Sequence, residues 1–214
     1  MTQPVMIIRK VYVETSYKLI YSINKHNKIM QLTGKEIVQE NIITGYVPEA
    51  VQQQGIDLRL MEVREFGHLN EETKAWEQNF HLDTIGVIPT TGKTKLPSSR
   101  VVEKGTYAGR FGWKLKPGYY EVIFDEGCNM PKDRVMVFIT RSSGVRCGVE
   151  IICGQFDAGF NTEHMGCFMR VHEHVFIGEH ARIAQTRITK TAPVDDDQMY
   201  NGQWQGDKQR DEQK

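Results

Sequence analysis

The sequence lacks an excess of charge of either sign. Among its 214 residues, lysine plus arginine and aspartate plus glutamate each total 27, so the formal net charge is zero. Proteins that bind nucleic acid normally carry a basic excess gathered on one face. We therefore predict no nucleic-acid partner, and any phosphate binding must be local.

Long apolar runs and paired cysteines are also missing. The N-terminal stretch VMIIRKVYVE is too short, and too often interrupted by charge, to cross a bilayer or act as a secretory leader. Four cysteines occur without any CxxC pair: Cys128, Cys147, Cys153 and Cys167. This spacing disfavours a zinc site and favours free, buried thiols in a reducing compartment. We predict no membrane partner and a cytoplasmic location, in a bacterium or an infected host cell.

The first half of the chain carries two helix signals after an N-terminal β extension. Residues 1–31 alternate apolar and polar side chains, which predicts two strands or a hairpin. In LTGKEIVQENIITG, Thr33 and Glu36 have the spacing of a capping box. A second short helix is predicted in NEETKAWEQNF, with Asn70 as its cap.

From about residue 84 the pattern changes to short β runs separated by glycine, proline and asparagine. Examples are YYEVIF, RVMVFIT, GVEIIC, GCFMRV, HVFIG and RIAQTRI. Many brief strands at this spacing predict a mainly β sandwich or barrel with one or two short helices. We divide the chain into an extension (1–31), a β domain (32–195) and a flexible C-terminal tail (196–214), in which Tyr200 and Trp204 are unusual for a purely solvated segment.

Two segments resemble binding motifs without meeting their spacing. In GVIPTTGKT, five residues rather than four separate Gly86 from Gly92, and the following KLPSSR contains a proline and no helical pattern. We interpret this segment as a loop. His172 and His174 share one face of a strand, but without closing ligands we expect surface or packing residues rather than a metal site.

The strongest chemical signal is the segment RSSGVR, which follows the predicted strand VMVFIT. Its arginines and hydroxyls suit the oxygens of a phosphate, because guanidinium groups pair bidentately with them. The alternative is an ordinary turn with solvated arginines. Asp157 in GQFDAGF follows the next predicted strand, and by itself it is equally consistent with a turn residue.

Seven segments, in order, resemble the family that contains dCTP deaminases and dUTP diphosphatases. They cover roughly residues 31–206: LTGKEIVQENIITG, GIDLRL, LKPGYY, RSSGVRCG, GQFDAGF, RIAQ and YNGQWQGD. The resemblance implies a distorted jelly-roll or β-barrel-like subunit and a homotrimer with active sites between subunits. It also implies a pyrimidine deoxynucleoside triphosphate as the substrate.

The same resemblance implies a role for each matching residue. Asp157 would activate the attacking water and contact the sugar, with Arg146 and Ser142 also catalytic. Asp57 would help to hold Mg²⁺ through water, and Phe160 would pack on the deoxyribose. The remaining substrate-binding residues would be Arg141, Ser143, Gln185, Tyr200, Trp204 and Gln205.

The acid–base residues favour hydrolysis over deamination. The deaminase branch uses a glutamate ten residues beyond the aspartate that Asp157 matches; that position is Cys167 here, or Val171 if Gly166 is taken as the family's glycine. Neither can relay a proton as a carboxyl group does. Glu163 or Glu173 could replace it only through a local insertion.

We therefore predict a Mg²⁺-dependent dUTP diphosphatase that yields dUMP and diphosphate. The alternatives are a dCTP deaminase, mono- or bifunctional, and a non-catalytic trimer that binds nucleotide. Two positions depart from the family pattern. Gln203 replaces the lysine of the tail motif, which removes one positive charge from the phosphate site. Thr162 stands where a glycine follows the aromatic residue, and a changed base-reading hairpin leaves a modified pyrimidine open as the substrate. Whether the tail acts on its own subunit or on a neighbour also stays open.

Overall fold

The computed structural model describes residues 30–77 and 86–206, and it is mainly β. The strands predicted before residue 30 lie outside the described residues. Within these ranges the helices are α1 (Gly34–Gln39) and α2 (Ser142–Arg146). The strands are β1 (Met30–Gln31), β2 (Ile43–Thr44), β3 (Val51–Gln52), β4 (Gly55–Phe66), β5 (His68–Leu69), β6 (Trp76–Glu77), β7 (Ser99–Val101), β8 (Gly105–Tyr107), β9 (Arg110–Leu115), β10 (Gly118–Phe124), β11 (Gly127–Asn129), β12 (Arg134–Thr140), β13 (Val149–Ile152), β14 (Asn161–Thr162), β15 (Gly166–Val171), β16 (Val175–Gly178) and β17 (Arg182–Lys190).

One large antiparallel sheet organises the chain. Its path runs β1-β17-β4-β10-β15-β13, with β12 paired to β17 and with β3 and β7 paired to β4. The sheet curls until β12 approaches β13, where the backbone N–H of Ile151 donates to Thr140 Oγ1 at 2.8 Å. The result is a curled half-barrel, and the predicted mainly β, barrel-like fold class is confirmed.

The core packs against this sheet and also includes Trp113 of β9 and Cys128 of β11. Alternate side chains point inward along the strands, as the period of two requires. The largest fully buried side chains include Trp113, Tyr120, Phe124, Leu58 and Met136. Each such side chain contributes about 1.5–3 kcal/mol by leaving water, so the core fixes the strand register on which the site depends.

Helix α1 begins with the predicted capping box. Glu36 N–H donates to Thr33 Oγ1 at 3.3 Å, and Thr33 N–H donates to Glu36 Oε2 at 2.8 Å. The bonds that the Thr33 N–H and hydroxyl donate to the Glu36 carboxylate hold the pKa of Glu36 below its usual value. Ile37 is fully buried, so the helix is fixed against the sheet by its apolar face as well as by its cap.

The prediction of a second helix in NEETKAWEQNF is wrong for residues 70–77, the part of this segment that the structure describes. Asn70 Oδ1 does accept from the N–H groups of Glu72 and Thr73, at 3.0 and 3.1 Å, as a helix cap would. However, Lys74 adopts a φ of +54°, which reverses the chain. Residues 76 and 77 then form β6, which pairs with β5. The same side-chain cap can therefore close a turn between strands.

A buried ion pair joins Arg59 on β4 to Glu126, which lies between β10 and β11. Glu126 is fully buried and accepts from both the backbone N–H and the Nε of Arg59, at 2.8 and 2.6 Å. Arg59 Nη2 also donates to the carbonyl of Gly45 at 2.6 Å. Burial raises the pKa of Glu126, and the contacts with Arg59 counteract only part of that effect.

This raised pKa gives a pH-dependent stability. Between the ordinary pKa of Glu126 and its raised value, the folded protein binds a proton that the unfolded chain does not. We expect the free energy of unfolding of the wild type, relative to Glu126→Gln, to fall as pH rises through that window. Denaturant titrations of both proteins from about pH 4 to about pH 8 measure this difference. The exposed Glu163→Gln variant is the control, and a difference that grows with pH would contradict the prediction.

Candidate active site

Asp157 lies on a loop that is held to the sheet on both sides. After β13 ends, Phe156 exchanges two backbone hydrogen bonds with Met136 on β12, at 2.8 and 3.0 Å. Two residues beyond Asp157, Gly159 N–H donates to the carbonyl of Met130 at 3.0 Å. The Asp157 side chain is exposed, and its Oδ1 accepts from Gln155 Nε2 at 2.8 Å. The carboxylate is thus open to solvent on a fixed backbone.

A cleft of about 390 Å³ opens beside Asp157. This volume suits a small organic ligand. Its wall is largely aromatic and aliphatic, with a few polar groups: Leu96, Ile152, Phe156, Phe160, Phe168, Tyr200 and Trp204, together with Glu121, Gln155, Asp157, Thr162 and His164. The rings of Phe156 and Phe160 lie 5.3 Å apart edge-to-face, and those of Phe160 and Tyr200 are at the same distance. The arrangement offers an apolar surface for a ring and one exposed acid.

The C-terminal tail folds onto the Asp157 loop of its own chain. Tyr200 N–H donates to the carbonyl of Ala158 at 2.8 Å, and Gln205 Nε2 donates to that of Gly159 at 2.9 Å. Gly159 has a φ of +85°, and a Cβ there would lie 2.8 Å from Met199 Cβ. Glycine is therefore needed for the tail to approach so closely. Within the described residues, the tail reaches Gly206, whose N–H donates to the carbonyl of Asn161.

A second polar cluster lies where β4, β12 and β17 meet. Asp57 is fully buried, and its Oδ2 lies 3.1 Å from Arg141 Nε and 3.6 Å from Arg182 Nη1. Its Oδ1 accepts from Gln185 Nε2 at 3.1 Å. Burial raises the pKa of Asp57, while Arg141, Gln185 and Arg182 each act to lower it. We call Asp57, Arg141, Arg182 and Gln185 the arginine cluster.

The arginine cluster brings together three residues that the sequence selected and one that it missed. Asp57, Arg141 and Gln185 come from three separate motifs, and pairing of β4 with β17 sets Gln185 opposite Asp57. Arg182 was missed as a candidate, although it is the first residue of RIAQ. Its Nη1 also donates to the carbonyl of Glu49 at 2.5 Å. The sequence did offer a signal for Arg182, because it is an arginine within the motif RIAQ, which the resemblance to the family had already identified.

The segment RSSGVR forms helix α2 rather than an irregular turn. Arg141 is its N-cap residue, and its Nη1 donates to the carbonyl of Arg182 at 3.0 Å. Ser142, Ser143 and Arg146 have exposed side chains on this helix. The cationic and hydroxyl groups therefore continue from the arginine cluster onto the surface.

In one chain, the helix and the cleft are separate features. The cleft wall, as far as the structure describes it, includes none of Arg141, Ser142, Ser143, Arg146 and Gln185. Within the described residues of one chain, the cleft wall therefore includes Asp157 and the aromatic residues, and the arginine cluster lies outside it.

Residues 25–191 of the sequence match the family described as dCTP deaminase-like. The chain belongs to the dCTP deaminase-like family. The family predicted from the ordered motifs is thus confirmed, and with it the class of nucleotide enzyme at the level of the family.

The proteins similar to this family member are named either as dUTP nucleotidohydrolases or as a dCTP deaminase. A probable deoxyuridine 5'-triphosphate nucleotidohydrolase of Aeropyrum pernix is 25% identical over 183 residues, which cover 83% of this chain and 99% of the relative. Another of that name, from Methanosarcina barkeri, is also 25% identical and covers 84% and 92%. The crystal structure of a 2'-deoxycytidine 5'-triphosphate deaminase from Agrobacterium tumefaciens has a TM-score of 0.52 at 13% identity. The match covers 76% of this chain but about half, 48%, of that deaminase, and shows the fold alone.

In this member of the dCTP deaminase-like family, the positions considered for a relay glutamate are occupied by buried residues. Cys167 is buried, and burial raises the pKa of its thiol well above the usual value. Val171 lies in the core. Glu163 and Glu173 are exposed and do not line the cleft. Glu121 does line it, from β10, opposite Phe168 of β15. Only the strand register could reveal this residue.

The residues that the structure describes in this family member do not by themselves build a metal centre. Across 30–77 and 86–206, no three His, Cys, Asp or Glu residues are grouped closely enough to hold an ion. His172 instead lies 3.3 Å from Glu150. The carboxylate of Asp57 faces two guanidinium groups and an amide, which is a poor setting for a direct ligand. Mg²⁺ commonly relies on substrate phosphates and water for most of its ligands.

No helix within the described ranges is long and apolar enough to span a membrane. None of the four cysteines forms a disulfide. Cys128 and Cys167 are buried as predicted, whereas the prediction is wrong for Cys147, which is exposed, and for Cys153, which is only half-buried.

Proposed function

We propose that this protein hydrolyses dUTP to dUMP and diphosphate. The observation that carries the proposal is the exposed carboxylate of Asp157, fixed beside an apolar cleft of nucleoside size. Two relatives named as probable dUTP nucleotidohydrolases, aligned over more than four-fifths of this chain, support the choice of substrate.

In the proposed reaction, Asp157 accepts a proton from a water molecule in the cleft. The oxygen of that water bonds to the α-phosphorus, and the bond from this phosphorus to the bridging oxygen breaks. The electron pair leaves with the diphosphate. The bond from Gln155 to Oδ1 orients the carboxylate, so that Oδ2 can face the water.

Phe160, Tyr200 and Trp204 line the same cleft and would enclose the nucleoside. We propose that Phe160 packs on the deoxyribose and that the tail excludes water, with Gln205 holding the tail to the loop. Excluding water strengthens charge interactions inside a site.

We propose that the phosphates are bound by a neighbouring subunit in a homotrimer. The separation of helix α2 from the cleft within one chain supports this arrangement. Arg141, Arg146, Ser142 and Ser143 of one subunit would then contact the phosphates of a nucleotide held beside Asp157 of the next, and Gln185 would contact the far phosphates.

Mg²⁺ bound to the triphosphate would neutralise part of the charge of the phosphates. A water-mediated contact with Asp57 stays a prediction, because that carboxylate is buried against Arg141 and Gln185. The four free cysteines agree with a cytoplasmic enzyme, which we also propose.

The alternative activity is deamination of dCTP. The observation that favours it is Glu121, which places a second carboxyl group at the cleft. Water would add to C4 while Glu121 passes one of its protons to N3. Glu121 would then carry the proton of the new C4 hydroxyl to the amino group, and the C4–N bond would break to release ammonia as the C4 carbonyl forms. No metal is needed for this proton transfer.

One experiment separates these activities. Incubation with dUTP, dCTP, dTTP and a 5-hydroxymethyl pyrimidine triphosphate, each with Mg²⁺, should give monophosphate and diphosphate from dUTP most rapidly. Chromatography resolves the nucleotides, and an ammonia assay detects deamination. Ammonia release from dCTP exceeding dUTP hydrolysis would overturn the proposal in favour of the alternative.

A further inference from the structure

The side chain of Gln203 joins the tail to a distant loop. Its Oε1 accepts from the backbone N–H of Thr94 at 2.7 Å, and its Nε2 donates to the carbonyl of the same residue at 2.9 Å. Both ends of one amide are thus bonded to both backbone groups of one residue. This is the bonding that a neighbouring strand would supply.

Thr94 belongs to residues 86–98, which we call the cover loop. This is the segment that resembled a phosphate-binding motif in sequence. It closes on itself through two backbone bonds between Val87 and Lys95, at 2.8 and 2.9 Å. Leu96 of the cover loop lines the cleft. The loop is therefore a part of the cleft wall with its own internal support.

Three consecutive tail residues make hydrogen bonds, and two of them bond to other parts of the chain. Gln203 bonds to the cover loop, Trp204 N–H donates to Tyr200 Oη at 3.2 Å, and Gln205 bonds to the Asp157 loop. Tyr200 and Trp204 of the tail line the same cleft as Leu96 of the cover loop. Gln203 consequently connects two walls of one cleft.

Few side chains can make this connection. Lysine at this position has donors but no acceptor, and glutamate has acceptors but no donor. Asparagine has both groups on a side chain one methylene shorter. Glutamine is the residue that reaches Thr94 and satisfies both of its backbone groups.

We propose that Gln203 is a positioning residue that clamps the tail to the cover loop, so that the cleft wall is complete before any nucleotide binds. The clamp itself is independent of the reaction, whereas its effect on catalysis rests on the proposed function. Completing the wall in advance lowers the ordering cost of binding.

Amide hydrogen exchange of the full chain without nucleotide tests the clamp. In Gln203→Ala, we expect exchange at Thr94 and across residues 200–206 to accelerate about tenfold or more, because two hydrogen bonds are lost. Gln203→Lys and Gln203→Glu should show intermediate acceleration, since each keeps one bond. The control is Gln198→Ala, at an exposed position of the same tail, which should leave Thr94 unchanged. Equal exchange at Thr94 in wild type and Gln203→Ala would overturn the proposal.

Binding and kinetics test the positioning role. Gln203→Ala should weaken binding of the non-hydrolysable α,β-imido-dUTP and raise KM for dUTP by about fivefold to tenfold, with a smaller change in kcat. Faster exchange at Thr94 with unchanged binding and KM would show that the clamp does not position the cleft. If the wild type hydrolyses no dUTP, the proposed function fails, while exchange at Thr94 and analogue binding still decide the clamp.

Discussion

Replacing Asp157 with asparagine should lower kcat for dUTP hydrolysis by about 10²–10⁴-fold, the usual contribution of a positioned base. Asparagine keeps the size of the side chain and an oxygen that can accept from Gln155 Nε2, but it does not take a proton from water. The exposed position of Asp157 makes a large loss of stability unexpected. Steady-state kinetics with dUTP and Mg²⁺ measure the effect.

The Asp157→Asn variant should still bind nucleotide, although it should lose most of its turnover. The dissociation constant for α,β-imido-dUTP should change by no more than about threefold, because the aromatic wall and the tail are untouched. Glu173→Gln, an exposed acid outside the cleft, is the matched control and should hydrolyse dUTP at the wild-type rate. Unchanged turnover in Asp157→Asn would support a protein that binds nucleotide without this catalysis.

Replacing Asp57 with asparagine should destabilise the protein by about 2–4 kcal/mol. Asp57 is fully buried between Arg141 and Arg182, and removing one partner of a buried pair leaves uncompensated charge. Both guanidinium groups keep some contact with solvent, and burial already disfavours the ionised form of Asp57, so we expect a smaller loss than the roughly 3–5 kcal/mol typical of a fully buried pair. Denaturant titration at constant pH measures the free energy of unfolding.

The control for Asp57→Asn is Asp133→Asn. Asp133 pairs with Arg134 at 2.6 Å, but Arg134 also bonds to Glu40, so its charge keeps a partner when Asp133 is lost. We expect a loss below about 1 kcal/mol there. Asp57→Asn should also weaken binding of α,β-imido-dUTP, since Arg141 loses the contact that orients it. Equal destabilisation by the two substitutions would contradict the special role of the buried acid.

The sequence predicted correctly those helices and strands whose form depends on residues close together in the chain. The capping box of Thr33 and Glu36 forms as its spacing indicates. The run RVMVFIT coincides with β12, and GCFMRV coincides with β15, because alternating burial is a property of each strand alone. The ordered motifs were sufficient for the family because they span most of the chain.

Other features depended on contacts that no local window contains. Asn70 makes the hydrogen bonds of a helix cap, yet the chain reverses at Lys74 and pairs as a hairpin. Glu121 reaches the cleft only because β10 pairs with β15. A cap or an isolated charge is compatible with several structures until its neighbours are known.

By itself, the sequence determined the mainly β class, the capping box, the family and the choice of Asp157 as the acid to examine. Only the tertiary structure decided that Asp57 is buried among Arg141, Arg182 and Gln185, and that Gln203 joins the tail to Thr94. The reason is the range of the contacts. Hydrogen bonds within a turn or a strand follow from neighbouring residues, whereas contacts between residues far apart in the chain follow from strand register and curvature, which the whole core sets together.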